Sequence, residues 1–185
     1  MRHAKSAYPG GVPDHDRPLG PRGRRDAPVA GRWLRLAGCA PDYVLCSTAR
    51  RARETWQLAE GGLGARPPVA FEPGIYEASA VSLLELVRRL PGTVRTLLVV
   101  GHDPGLPQLG LVLAAENATR ERQAAVRTSG TASDRIRAKF PTAAIAVLEF
   151  SGPWSELAPS SALLTGFATP REMRDMPPVG RGEQR

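Results

Sequence analysis

Apolar residues recur along the chain in two rhythms. From about Arg22, the positions Ala27, Ala30, Trp33, Leu34 and Ala37 fall at helical spacing. They predict one buried face of a helix running to Leu36, with Gly38 suited to its end. Tyr43-Val44-Leu45-Cys46 is a short continuous apolar run, the length of a buried strand. Ser47 or Thr48 then offers a cap for a helix to about Ala59. Val69-Ala70-Phe71 predicts an edge strand, and Ser79 or Ser82 opens a helix carrying Leu83, Leu84, Leu86, Val87 and Leu90. Pro91-Gly92 stops that helix. Thr96-Leu97-Leu98-Val99-Val100 is the clearest buried strand and runs straight into Gly101-His102. A helix over Leu106 to Ala115, a strand over Ala143 to Phe150 and a further strand over Ala162 to Phe167 complete the pattern.

Between these elements lie stretches without periodicity. Residues 7–21 hold four Pro, three Gly and two Asp and predict a loop. Residues 116–139 are charged and mixed, with Thr128-Ser129-Gly130-Thr131 reading as loop. Pro170 to Arg185 shows no period and is expected to be a mobile tail. Strands that alternate with helices predict an α/β domain over residues 1–168, with a mostly parallel sheet covered on both faces and a tail over 169–185. Ligands of such sheets sit beyond the carboxyl ends of strands. Ser47 and His102 both fall at strand ends on this reading.

Composition narrows the partners. The net charge is +7, and lysine occurs only at Lys5 and Lys139, so the basic character comes from arginine. No basic run is interleaved with aromatics, which make up 5% of the chain, so an anionic substrate is expected rather than nucleic acid. Cys39 and Cys46 form no CxxC and have no metal-ligand spacing; they read as reduced, buried thiols of a cytosolic protein. No apolar stretch approaches 18 residues and no export signal is visible, which predicts no membrane partner and a cytoplasmic location. Neither a metal site nor a cofactor is expected; His15, between Asp14 and Asp16, reads as a solvated loop residue.

The chemistry concentrates on the other two histidines. One stands in Arg2-His3-Ala4-Lys5-Ser6, the other in Gly101-His102-Asp103-Pro104-Gly105. A phosphoryl group carries close to two negative charges and needs cations and N–H donors on its oxygens. A neutral imidazole is a competent nucleophile near pH 7, and arginine grips phosphate bidentately without losing its charge.

With these motifs the chain resembles the histidine phosphatase superfamily, and within it the SixA-like phosphohistidine phosphatases. The RHAKS opening is similar to the Arg-His signature of that group. Arg17-Pro18-Leu19 followed by Arg22-Gly23 resembles its RPL…G segment. Ser47-Thr48-Ala49-Arg50-Arg51-Ala52-Arg53-Glu54-Thr55 resembles S-P-x-x-R-A-x-Q-T, and Gly101-His102-Asp103-Pro104 resembles GHNP. The matches run in order over residues 2–150.

The resemblance implies a phosphoglycerate-mutase-like three-layer α/β/α sandwich and a metal-free phosphatase. His3 is the implied nucleophile, and Arg2, Arg51 and His102 the implied oxyanion pocket, with Arg17 a further phosphate contact from the loop. Glu77, in Ile75-Tyr76-Glu77, stands where many members carry a general acid; a solvent-facing role is an equal expectation. Asp103 is expected to shape its turn. The implied substrate is phosphohistidine on a protein. A small phosphate ester, or mere binding of phosphorylated partners, are the alternatives. The pattern departs from the family at one place: an apolar strand ordinarily precedes the Arg-His pair, whereas here Met1 alone does. Either the true start lies upstream, which is the favoured expectation, or the first strand is truncated, with a hole in the sheet and His3 on a mobile terminus.

Overall fold

A computed structural model describes residues 1–115 and 131–176. The elements follow one another as α1 (Pro21–Leu36), β1 (Tyr43–Ser47), α2 (Arg50–Leu63), β2 (Val69–Glu72), α3 (Ala80–Arg88), β3 (Leu97–Val100) and α4 (Gly105–Leu113). Then come α5 (Ala132–Ala138), β4 (Ile145–Glu149), β5 (Leu163–Ala168) and α6 (Pro170–Asp175). β1 lies between β2 and β3, and both pairings are parallel; β4 and β5 pair antiparallel. β2 is the edge strand expected of Val69-Ala70-Phe71.

Side chains alternate across a strand, and the core divides accordingly. Val44 and Cys46 of β1, with Leu98 and Val100 of β3, pack on Ala30, Leu34, Ala52 and Trp56 of α1 and α2. Leu45 faces the other way, toward Leu83, Leu84 and Val87 of α3 and Leu106 and Leu109 of α4. The sheet is thus covered on both faces, which makes the three-layer α/β/α arrangement. α1 and α2 touch backbone to backbone. A Cβ on Gly31 would stand 1.8 Å from the Ala59 carbonyl oxygen, and one on Gly62 would stand 2.2 Å from that of Pro28. Only glycine permits this approach.

Met1 to His3 do not wave freely. The Met1 ammonium donates to the Val99 carbonyl (2.8 Å). Gly101 N–H donates to Met1 O (3.1 Å) and His3 N–H to Gly101 O (2.9 Å). On the other side Arg2 N–H donates to Ala144 O and Ala143 N–H to Arg2 O. Three residues therefore form a one-rung parallel strand between β3 and the chain leading into β4. The expectation of a mobile terminus is corrected here, because these backbone bonds hold His3. The expected hole is present. Among the described residues no ladder joins β3 directly to β4. A cavity of about 660 Å³ separates Leu97, Leu98 and Val99 from Ile145 to Glu149, with Met1 at its end.

Other expectations need adjustment. α2 starts at Arg50 with Ala49 as its N-cap and no capping side chain; the Ser47 hydroxyl accepts from Ala49 N–H (3.3 Å) and from His102, and the Thr48 hydroxyl lies against His15. The stretch from Pro170, expected to be tail, opens with helix α6. Thr169 and Glu172 make a reciprocal capping box, and Met173 is buried in the α1–α2 core. Residues 177–185 of the expected tail, and the expected loop at Thr128 to Gly130, lie outside the described residues. Cys46 is buried, and burial pushes its thiol up to about 12. Cys39 is only half-buried, since it sits just past the end of α1. No described helix is long and apolar enough to cross a membrane.

Candidate active site

β1 ends at Ser47, β3 ends at Val100, and the short N-terminal rung ends at His3. The three ends lie side by side, so Ser47, His102 and His3 converge with the first turn of α2. Arg51 lies on that turn. Its three guanidinium nitrogens face three partners: Nε donates to His3 Nε2 (3.2 Å), Nη1 to the Asp14 carbonyl (2.5 Å) and Nη2 to Asp14 Oδ2 (2.9 Å). Nη2 also lies 3.4 Å from His102 Nδ1. The two imidazole rings stand 5.1 Å apart between centroids. His3, Arg51 and His102 are each over nine-tenths buried.

The tautomers follow from these partners. His3 Nδ1 lies 2.8 Å from the Ala4 carbonyl oxygen, which only accepts, so Nδ1 carries the proton. Nε2 is left with a lone pair, facing the pocket beside Arg51. His102 Nδ1 faces an arginine donor, so its proton resides on Nε2, which donates to Ser47 Oγ (2.8 Å). Thr55 ties the motifs together: its hydroxyl accepts from Ala4 N–H (2.9 Å) and donates to the Arg51 carbonyl (2.5 Å).

The loop over residues 7–21 folds across this group. Its base is clamped by Ala7 N–H to Pro18 O and Gly20 N–H to Lys5 O (both 2.9 Å), and Glu54 accepts from Leu19 N–H. A 3-10 turn, Asp14–Asp16, presents Asp14. The Asp14 carboxylate accepts from Arg51, from Arg17 Nη1 (2.6 Å) and from the Tyr76 hydroxyl (2.8 Å). Arg17 is further fixed by Ala7 O, Ser6 Oγ and the face of Tyr8 at 3.4 Å. Arg2 donates to the Phe140 carbonyl and pairs with Asp103 (2.9 Å), while its buried Nε has no hydrogen-bond partner among the described residues.

The same arrangement has relatives. The family model of the histidine phosphatase superfamily (branch 1) matches residues 1–89. An uncharacterized protein of Mycobacterium tuberculosis is 48% identical over 171 residues, covering 92% of this chain and all of that one. SixA of Nakamurella multipartitia, a solved structure, shares 37% identity and a TM-score of 0.76 over 92% of this chain and 93% of its own. The chain belongs to the histidine phosphatase superfamily, among its SixA-like members. SixA of Agrobacterium tumefaciens aligns at 25% identity and a TM-score of 0.71, over 91% and 94% of the two chains.

For this SixA-like chain, the resemblance named His3, Arg2, Arg51, His102, Arg17 and Glu77. The structure brings His3, Arg51 and His102 into direct contact and places Arg17 one carboxylate away from Arg51. Glu77 is exposed, in a left-handed backbone position (φ 55°), and makes no hydrogen bond or ion pair among the described residues. Its neighbour Tyr76 reaches the site instead, edge-on to His102 (5.4 Å) and to His15 (5.0 Å). Sequence reasoning assigned no role to Asp14 or Tyr76, and placed Ser47 at a strand end without a partner. Asp14 stands three residues before Arg17, and Ser47 opens a quoted motif; Tyr76 carries no signal of its own. His15 is not solvated alone, since its Nε2 lies 3.0 Å from Thr48 Oγ1.

Burial sets the protonation states. It pushes His3 down to about 3, and it pushes His102 down to about 4, with the Arg51 charge adding to the effect. It also pushes the Met1 amine down to about 5. In each case the unfolded chain binds the proton at a higher pH, near 6.5 for histidine and 8.0 for the amine. The unfolded state therefore holds more protons across these windows, and stability rises with pH through them. Thermal melts between pH 8 and 4 are expected to show Tm falling steadily with acidification. A flat Tm across that range contradicts the burial of these groups.

Proposed function

We propose that this chain is a metal-independent phosphatase that works through a phosphohistidine on His3 and removes phosphate from phosphohistidine on a protein. The observation that carries the reading is the His3 imidazole, with its Nδ1 proton held by Ala4 O and its Nε2 lone pair beside Arg51. Nε2 attacks phosphorus, the bond from phosphorus to the leaving nitrogen breaks, and that nitrogen takes a proton as it departs. Water then attacks the phosphorus on His3, which returns the imidazole and releases inorganic phosphate. The Arg51 fork stabilises charge on the equatorial oxygens. The unpartnered Arg2 Nε is a donor suited to the same oxygens. His102, oriented by Ser47, and Arg17 complete the cradle. This positive charge comes from side chains, so the scheme has no step that calls on a metal.

A protein substrate is supported by the rim. Tyr8 is 72% exposed beside Arg17, and Lys5 lies 5.5 Å from its ring. Exposed tyrosine is enriched where protein partners dock. A departing imidazole demands little of a general acid, so this reading does not depend on Glu77. The test is phosphate release, in EDTA, from a phosphohistidine-bearing protein and from p-nitrophenyl phosphate. The expected kcat/KM is at least about 100-fold higher for the protein, a difference of about 2.7 kcal/mol. The reverse order supports a small-molecule phosphomonoesterase, and loss of activity in EDTA overturns metal independence.

A further inference from the structure

We propose that Asp14 is a built-in competitor for the site: its carboxylate occupies the phosphate position as a resident anion that every substrate must displace. The inference rests on the phosphatase reading above for its effect on turnover, but not for its effect on anion binding.

The donors that recognise a phosphoryl group are already in use. Arg51 gives Nη2 to Asp14 Oδ2 at 2.9 Å and Nη1 to the same residue's carbonyl at 2.5 Å. Arg17 gives Nη1 to Oδ1 at 2.6 Å, and Tyr76 gives its hydroxyl to Oδ2 at 2.8 Å. Two carboxylate oxygens thus collect three hydrogen bonds, two of them from guanidinium groups. Such charge-assisted bonds are the strong ones. The carboxylate is held well in its ionised form, down to about 2, first by the Tyr76 hydrogen bond and then by Arg17 and Arg51. No change of pH in the working range switches it off.

The loop is built to let go. Its base is clamped at Ala7–Pro18 and Lys5–Gly20, so displacement at the tip leaves the base in place. Gly10 and Gly11 precede the turn, with Gly11 in the left-handed region (φ 72°) and no atom within 4 Å of a Cβ at either. The Asp14 side chain is 49% exposed, so a displaced carboxylate moves into water rather than into the core.

Displacement has a selective consequence. A phosphoryl dianion carries more charge and more oxygens than a carboxylate, so it takes the arginines, but only after they release Asp14. A small ester or free phosphate brings nothing else to offset that loss. A phosphate on a protein surface brings contacts from its neighbours. The cost is the same for every phosphoryl ligand, so small esters and the phosphate product, with nothing to offset it, are left weakly held, while a protein-borne substrate has further contacts to offset it.

The test is calorimetric titration of inorganic phosphate into the intact chain, Asp14→Asn and Tyr76→Phe. Asp14→Asn keeps the shape and removes the charge, and it is expected to bind phosphate at least about tenfold tighter. Tyr76→Phe removes one hydrogen bond from the carboxylate and is expected to tighten binding about two- to threefold, so it reports even if the asparagine variant does not fold. In turnover, Asp14→Asn is expected to lower KM for p-nitrophenyl phosphate by a similar tenfold. Phosphate affinity that is unchanged or weaker in a folded variant overturns the inference, as does no binding by any of the three. Tighter phosphate binding without turnover of any substrate leaves the inference standing and rejects the phosphatase reading. His3-dependent turnover without tighter binding rejects the inference alone.

Discussion

Alanine in place of His3 is expected to lower phosphate release by more than about 10⁴-fold, the scale seen when a nucleophile is removed from a preformed site. The reason is positional. Nε2 of His3 is unprotonated and faces the pocket, where its lone pair accepts only the 3.2 Å bond from Arg51 Nε. His102 does not replace it, because its Nδ1 faces Arg51 and its Nε2 carries the proton to Ser47. The loss is expected in kcat, while inorganic phosphate still binds, since Arg51 stays on the first turn of α2 and Arg17 keeps its bonds to Ser6 Oγ and Ala7 O. Brief incubation with a radiolabelled substrate, followed by alkaline gel electrophoresis, checks the intermediate directly. Label on the intact chain and none on His3→Ala is the expected result. Equal turnover by the two proteins rejects His3 as nucleophile.

Joining five apolar, strand-forming residues ahead of Met1 is expected to raise Tm by about 10 °C. The cavity between β3 and β4 is where they go. One wall is Leu97 to Val99 and the other Ile145 to Glu149, and Met1 already continues the line between them. Burying one large apolar side chain contributes about 1.5–3 kcal/mol, while ordering a residue's backbone costs about 1–2 kcal/mol. With ladder hydrogen bonds of about 1 kcal/mol each, five residues net a few kcal/mol. For a domain of this size each kcal/mol moves Tm by about 2–4 °C. The extension also turns the buried Met1 ammonium into a peptide N–H donating to the same Val99 carbonyl. The fall of Tm between pH 8 and pH 5 is therefore expected to flatten, because the amine no longer titrates there. A Gly/Ser extension of equal length is expected to flatten the pH dependence in the same way but not to raise Tm, since it lacks side chains to fill the cavity. No gain from the apolar extension over the Gly/Ser one rejects the cavity as a strand slot.

The sequence by itself determined the layered α/β plan, and its motifs named His3, Arg51 and His102, which lie in contact at the candidate site. Val44-Leu45-Cys46 and Leu97 to Val100 are continuous apolar runs because a strand covered on both faces has no polar side, and that is visible without any structure. His102 was legible because it follows a strand end, and Arg51 because it lies on the helix turn after one, each inside a motif whose spacing is local. α6 left a readable trace that was passed over: Thr169 and Glu172 stand at capping-box spacing, but a helix of six residues is too short for periodicity to show. Only the tertiary structure decided the rest. Asp14 comes to Arg51 because a loop 37 residues away folds back on clamps at Lys5 and Ala7, and Tyr76 displaces Glu77 from the site through one left-handed residue. Neither contact has a period or a composition, since each depends on where separate elements meet in space. The same holds for Met1 to His3, whose three residues became a fixed strand because β3 and the chain before β4 were there to receive their hydrogen bonds.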